Sequence, residues 1–264
     1  MTLNFLKPNK EIHLFELEFD SVTFAEAANL LINYCEKGLK AFVVTPNVDH
    51  IVQINSDQRM LGVFKRADFV FADGMPLVWF SWLLPSRYHL PERVNGTNLM
   101  EALLSLAGEH HLSVGFLGGE LGAAEELAAK LRQISPDTTI AGFHCPPFGF
   151  ELSMESDQAV VDIVNRWNTD FLFIGLGTPK QELWLSDHWD ALNFKVAVGI
   201  GSAIDLLAGR KKRAPIWMQQ AGLEWLWRVG LEPKRLWKRY FIDDLKFITI
   251  ALPEFVAKWK HTSN

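Results

Sequence analysis

Two cysteines in 264 residues, Cys35 and Cys145, are too few for a disulfide framework and point to a reducing compartment. No apolar run reaches the roughly 20 residues that a spanning helix needs. The best candidate, Met75 to Leu84, is short and bracketed by Asp73 and Arg87, so membrane contact is expected to be peripheral. The opening stretch, MTLNFLKPNKEIHLFELEFD, lacks a basic start followed by an apolar core, and no secretory signal is expected. A D-x-D pair of the kind that holds a divalent ion on a nucleotide-sugar is missing, the eight His are scattered, and His144-Cys145 has no partners at ligand spacing. Neither a metal nor another cofactor is expected. The full dinucleotide fingerprint, internal repeats and low-complexity linkers are likewise missing.

What is present reads as globular: 48% hydrophobic and 22% charged residues, enough chain to bury a full core. Charge is unevenly spread. Between Arg210 and Arg239 nine Lys or Arg face two Glu, a net +7 within a chain of net −5. Five of the ten Trp lie from Arg210 onward: Trp217, Trp225, Trp227, Trp237 and Trp259. Basic side chains seek anionic headgroups while indoles settle at the headgroup boundary, so the combination suits a membrane surface. A solvated basic helix with aromatics packed on the body has the same composition. Nucleic acid is the poorer partner, because the acidic body would repel an extended polyanion.

Short β-branched and aromatic runs alternate with amphipathic stretches, the pattern of a parallel sheet flanked by helices. The runs are Ala41 to Thr45, Phe69 to Phe71, Ser113 to Leu117, Thr138 to Gly142, Phe171 to Gly175 and Val196 to Ile200. Leu121 to Leu131 and Asp157 to Trp167 have helical spacing between them. The expected fold is α/β and Rossmann-like: a catalytic domain over residues 1–209 and a basic, helical, membrane-binding appendage over 210–264. Ligands of such a sheet sit beyond the carboxyl ends of its strands. The loops there carry Thr45-Pro46-Asn47, Asp73-Gly74, Gly118-Gly119, Gly177 to Glu182, and Gly201-Ser202 with Asp205.

Each loop residue has a local reading beside a functional one. Gly118-Gly119 either lets backbone N–H groups approach a diphosphate or serves the turn alone. In Thr178-Pro179-Lys180-Gln181, Thr is placed as N-cap, Pro as first helical residue and Gln181 as the return arm of a capping box, with Lys180 and Glu182 unaccounted for. Asp73 suits a turn before glycine. In its frame of Phe69, Val70, Phe71 and Met75, it equally suits a carboxylate with a raised pKa, fit for a general base. Arg93 either clamps a phosphate or pairs with Glu92.

Taken in order, T-P-N at Thr45, A-D-x-x-F-A-D-G ending at Gly74, E-R-x-x-G at Glu92, F-L-G-G at Phe116, P-P-F-G at Pro146, G-x-G-T-P-K-Q-E at Gly175, G-x-G-S-x-x-D-x-x-A-G at Gly199, R-A-P at Arg213, and G-L-E-W-L-W-R with E-P-x-R at Gly222 and Glu232 resemble the WecG/TagA/CpsF family of bacterial glycosyltransferases. The resemblance runs from about Thr45 to Arg239. It implies an inverting, metal-independent transferase at the inner face of the cytoplasmic membrane, moving a sugar from a UDP-sugar to a polyprenyl-diphosphate-linked saccharide in cell-surface polysaccharide synthesis.

By this resemblance Asp73 is the candidate base, and Thr45, Asn47, Arg93 and Gln181 line the sugar pocket. Asp205 would bond the nucleotide with Gly118 and Gly119 beside it, and Arg228 and Arg235 would neutralise the leaving diphosphate. Lys238 stands where the family's tail often has Arg, and Arg239 follows, which leaves open which of the two reaches phosphate; Pro76 alters the acceptor-side wall. A nicotinamide-dependent oxidoreductase is the rival on a similar sheet. The exact sugar, the acceptor and homo-oligomer formation stay open.

Overall fold

The computed structural model describes residues 10–238 and 245–260, with the backbone alone for Gln220 and Arg235. It opens on a hairpin of β1 (Glu11–Leu14) and β2 (Leu17–Asp20), antiparallel, with Ile12, Leu14, Leu17 and Phe19 turned inward. Its two-residue turn places Phe15 and Glu16 at positive φ, 53° and 64°. A turn of that hand usually announces itself with Asn or Gly, and neither is present. The hairpin was therefore not expected from the sequence.

Helix α1 (Phe24–Glu36) begins at a capping box, Thr23 with Glu26, and buries one apolar face. The main sheet follows: β3 (Ala41–Val44), then α2 (Val48–Ile54), α3 (Gln58–Lys65), β4 (Phe69–Val70), α4 (Met75–Trp82), α5 (Gly96–Glu109) and β5 (Ser113–Gly118). Next come α6 (Ala123–Ile134), β6 (Thr139–His144), α7 (Met154–Trp167), β7 (Thr169–Gly175), α8 (Lys180–Asp187), β8 (Phe194–Gly199) and α9 (Ala203–Ala208). All six expected runs are strands, each within two residues of its expected bounds, and both expected helices are present.

The six strands are parallel in the order β4-β3-β8-β7-β5-β6. From β3 the chain steps outward to β4, crosses to build β5 and β6 at the far edge, then returns through β7 to set β8 beside β3. Connections thus diverge at β3 and β8, the kind of switch point where parallel sheets open a crevice. Apolar side chains cover both faces; Phe116, Phe171 and Phe173 stack on one, with centroids 6.0 Å apart. Each buried Phe contributes about 2–3 kcal/mol.

The C-terminal part is helical: α10 (Ile216–Gln220), α11 (Glu224–Leu231), α12 (Pro233–Lys238) and α13 (Lys246–Lys260). Helix α13 returns to the body. Phe247 meets Phe15 and Phe80 at centroid distances of 5.3 and 6.1 Å, and the Trp259 indole donates to Leu83 O. Among the described residues no helix is long and apolar enough to cross a membrane.

Candidate active site

Strands β3 and β4 leave the sheet side by side, and the Asp73 N–H donates to Pro46 O at 2.9 Å. Gly74 then turns the chain into α4 at φ 114°, a conformation closed to most side chains. This fixes Asp73 at the sheet edge, half-buried. Burial pushes its carboxyl up to about 6, although Arg93, Arg228 and a hydrogen bond from Gly96 N–H pull the other way and Glu224 adds to the rise. A carboxyl poised there is ionised at neutral pH yet basic enough to take a proton.

Two cations reach this carboxylate from opposite ends of the sequence. Arg93 precedes α5, whereas Arg228 rides on α11. Buried Glu224 joins them, 3.7 Å from Arg93 Nη1 and 3.1 Å from Arg228 Nη2. Arg93 therefore pairs with Glu224 and not with Glu92, whose carboxylate accepts from Phe24 N–H. Asp73, Arg93 and Arg228 line a mainly apolar chamber of about 260 Å³ whose walls include Met75, Trp225 and Phe247.

Asp73 and Arg228 also face a second, polar hollow of about 490 Å³ with Thr45, Asn47 and Gln181. The two spaces meet at the carboxylate. Gln181 is buried; its Oε1 accepts from Gly201 N–H and its Nε2 donates to Glu182 Oε1. The expected capping box at α8 is not formed. Pro179 is the N-cap residue and no side chain caps the helix, while Thr178 sits in a hydrogen-bonded line with His50 and Glu182. Burial pushes the Glu182 carboxyl up to about 7, against hydrogen bonds from Gln181, its own backbone N–H and Thr178. Asn47 does cap, accepting from His50 N–H at the head of α2.

Asp205 stands behind the hollow. Its Oδ1 accepts from Glu120 N–H and its Oδ2 from Lys211 Nζ at 2.6 Å, and it is Glu120 and Lys211 that line the polar space. Gly118 and Gly119 are demanded by packing: a Cβ on Gly118 would lie 2.5 Å from Gly175 O, and one on Gly119 3.0 Å from Ile204 Cγ2. Neither lines the hollow. The exposed Lys238 ends α12 and lines neither space. Arg235 lies on α12, but its side chain, like the whole of Arg239, is outside the described residues.

The model described as the glycosyl transferase WecG/TagA/CpsF family matches residues 12–261. The chain belongs to this family. Among curated relatives, an N-acetylglucosaminyldiphosphoundecaprenol N-acetyl-beta-D-mannosaminyltransferase of Staphylococcus aureus strain MRSA252 is 29% identical over 262 residues, 98% of this chain and 97% of the relative. The protein of the same description from strain NCTC 8325 matches equally. As a WecG/TagA/CpsF glycosyltransferase the chain has no need of Gly118-Gly119 as a nicotinamide motif, and their packing role removes the observation that motivated an oxidoreductase.

His50, Lys211 and Glu224 were not singled out from the sequence. Nothing local marks them, since each acts through a partner far along the chain: His50 through Thr178, Lys211 through Glu120, and Glu224 through Arg93.

Proposed function

We propose that the protein transfers a sugar from a UDP-sugar to a polyprenyl-diphosphate-linked saccharide by single displacement with inversion. The observation that carries this is Asp73, held at the meeting of an apolar chamber and a polar hollow with its carboxyl raised to about 6. The acceptor hydroxyl loses its proton to Asp73 as its oxygen bonds the anomeric carbon, and the bond from that carbon to the UDP oxygen breaks. Thr45, Asn47, Arg93 and Gln181 hold the sugar. Arg228, with Lys211 across the hollow, meets the charge on the departing diphosphate, so no metal is required; Arg235 and Lys238 would extend that cover. Asp205 acts through Glu120 and Lys211, which it fixes against the nucleotide.

The relatives' names give an undecaprenyl-diphosphate N-acetylglucosamine acceptor and an N-acetylmannosaminyl group, and we take the same acceptor class and an N-acetylmannosamine-type hexose here. The chamber lies between α4, α11 and α13, which expose Trp79, Trp82, Leu226, Ile248 and Leu252. That arrangement supports delivery of a lipid-borne acceptor from the inner face of the cytoplasmic membrane, with the basic, Trp-rich C-terminal region as the contact.

Purified protein given UDP-sugars and a short-chain polyprenyl-diphosphate N-acetylglucosamine is expected to release UDP with chelator present. Asp73→Asn should lose at least 100-fold in kcat while staying folded. Undiminished turnover in that variant would remove the base assignment.

A further inference from the structure

Glu182 is a buried carboxyl group for which the reaction above has no use. It sits in the first turn of α8, 4% exposed, among the residues lining the polar hollow. Its Oε1 accepts from Gln181 Nε2 at 2.7 Å and from Thr178 Oγ1 at 3.2 Å, while its Oε2 has no hydrogen-bond partner among the described residues. The line continues to α2: His50 Nδ1 accepts from Asn47 N–H, which leaves Nε2 as the donor to Thr178 Oγ1 at 2.9 Å. Asn47, His50, Thr178, Glu182 and Gln181 are thus one connected set around a single hollow.

We propose that Glu182 is a positioning residue whose Oε1, an acceptor, holds the Gln181 carboxamide in one of its two flips, and that the group stays uncharged while it does so. Gln181 Oε1 accepts from Gly201 N–H. Turning the amide over would set Nε2 against that N–H, and would bring Oε1 against Glu182 Oε1. The observed flip leaves the second hydrogen of Nε2 for a sugar hydroxyl or acetamido oxygen. Glycine at 199 permits the arrangement, since a Cβ there would lie 2.8 Å from Gln181 Nε2.

Neutrality follows from the surroundings. His50, with Nε2 3.9 Å from Oε1, is the one ion-pair partner of Glu182 within 4 Å among the described residues, and Thr178, Gln181 and the backbone at Gly199 also stand against the carboxyl. An orphan oxygen with no cation beside it favours the acid form, and burial pushes the group up to about 7. An ionised Glu182 would set negative charge beside the diphosphate that the hollow receives. This inference rests on the nucleotide-sugar reading of that hollow.

The test is the pH profile of UDP release by the full chain, together with infrared spectra. Wild type should rise through about pH 6 as Asp73 ionises and fall above about pH 7 as Glu182 ionises. Glu182→Gln, which mimics the neutral acid, should keep the greater part of the turnover at pH 6 and lose the fall. Glu182→Ala should lose at least tenfold in kcat with a smaller change in KM for the donor. Independently of activity, a protonated-carboxyl stretch titrating near pH 7 should be present in wild type and absent from Glu182→Gln. A fall that persists in Glu182→Gln, an alanine variant within twofold of wild type, or no such infrared band overturns the inference. Wild type that releases no UDP at any pH fails the proposed function instead, and the infrared band then decides on Glu182 alone.

Discussion

At the scale of the residue, Asp73 pays for its position in stability. Its carboxyl moves from the ordinary 3.8 to about 6 on folding, mainly through burial. An acid whose folded pKa is raised binds more protons folded than unfolded, so this part of stability is complete below about pH 4 and is lost as pH rises through 6. At ~1.4 kcal/mol per pKa unit, the loss at neutral pH is of order 3 kcal/mol. Asp73→Asn keeps the shape and removes the charge. Its melting temperature should exceed that of wild type at pH 8, and the gap should close by pH 4, as calorimetry at the two values would show. A variant that is idle and yet more stable is the signature of a group kept for chemistry.

Among the elements, the β5–α6 connection is a tight passage at the end of the sheet. Gly118 has φ 100° and admits no side chain against Gly175 O, and Gly119, at φ 81°, stands less closely against Ile204 of α9. Gly118→Ala should therefore cost about 2–4 kcal/mol from left-handed strain and overpacking, measured as a shift in urea midpoint at unchanged slope. The glycine pair was legible as a turn, but its reason was not, because that reason is a neighbouring strand 57 residues onward at Gly175. The same limit governs the rest of the site. Period and β-branching exposed every strand of the main sheet, and the loops beyond them held Thr45, Asn47, Asp73 and Gln181, which the structure brings, with Arg93 from the α4–α5 connection, to two adjoining spaces. Helix α8 misled because Thr-Pro before a helix matches a capping pattern, whereas the Thr178 hydroxyl finds His50, 128 residues away in sequence. The β1–β2 hairpin was hidden by a turn without Gly or Asn.

For the whole molecule, charge and apolar exposure fall on the same side of the argument. Helix α13 has Ile248, Leu252, Val256 and Trp259 at 42–62% exposure, beside Trp79, Trp82 and Leu83 at the end of α4. These partly exposed apolar side chains would gain by entering a headgroup layer. Replacing Ile248 and Leu252 together by Glu should cut sedimentation with anionic vesicles at least fivefold while far-ultraviolet circular dichroism is retained. Equal sedimentation of both proteins would remove α13 from the proposed membrane contact.

The origin of Arg228 has one more consequence. Asp73 and Arg93 emerge early from the ribosome, but the guanidinium that completes their surroundings belongs to α11, and α13, whose Phe247 closes the chamber, is later still. A nascent chain therefore holds its carboxylate without the cover above it while the intervening residues are added. The centre is finished only when Arg228 and Phe247, 155 and 174 residues beyond Asp73, have been made.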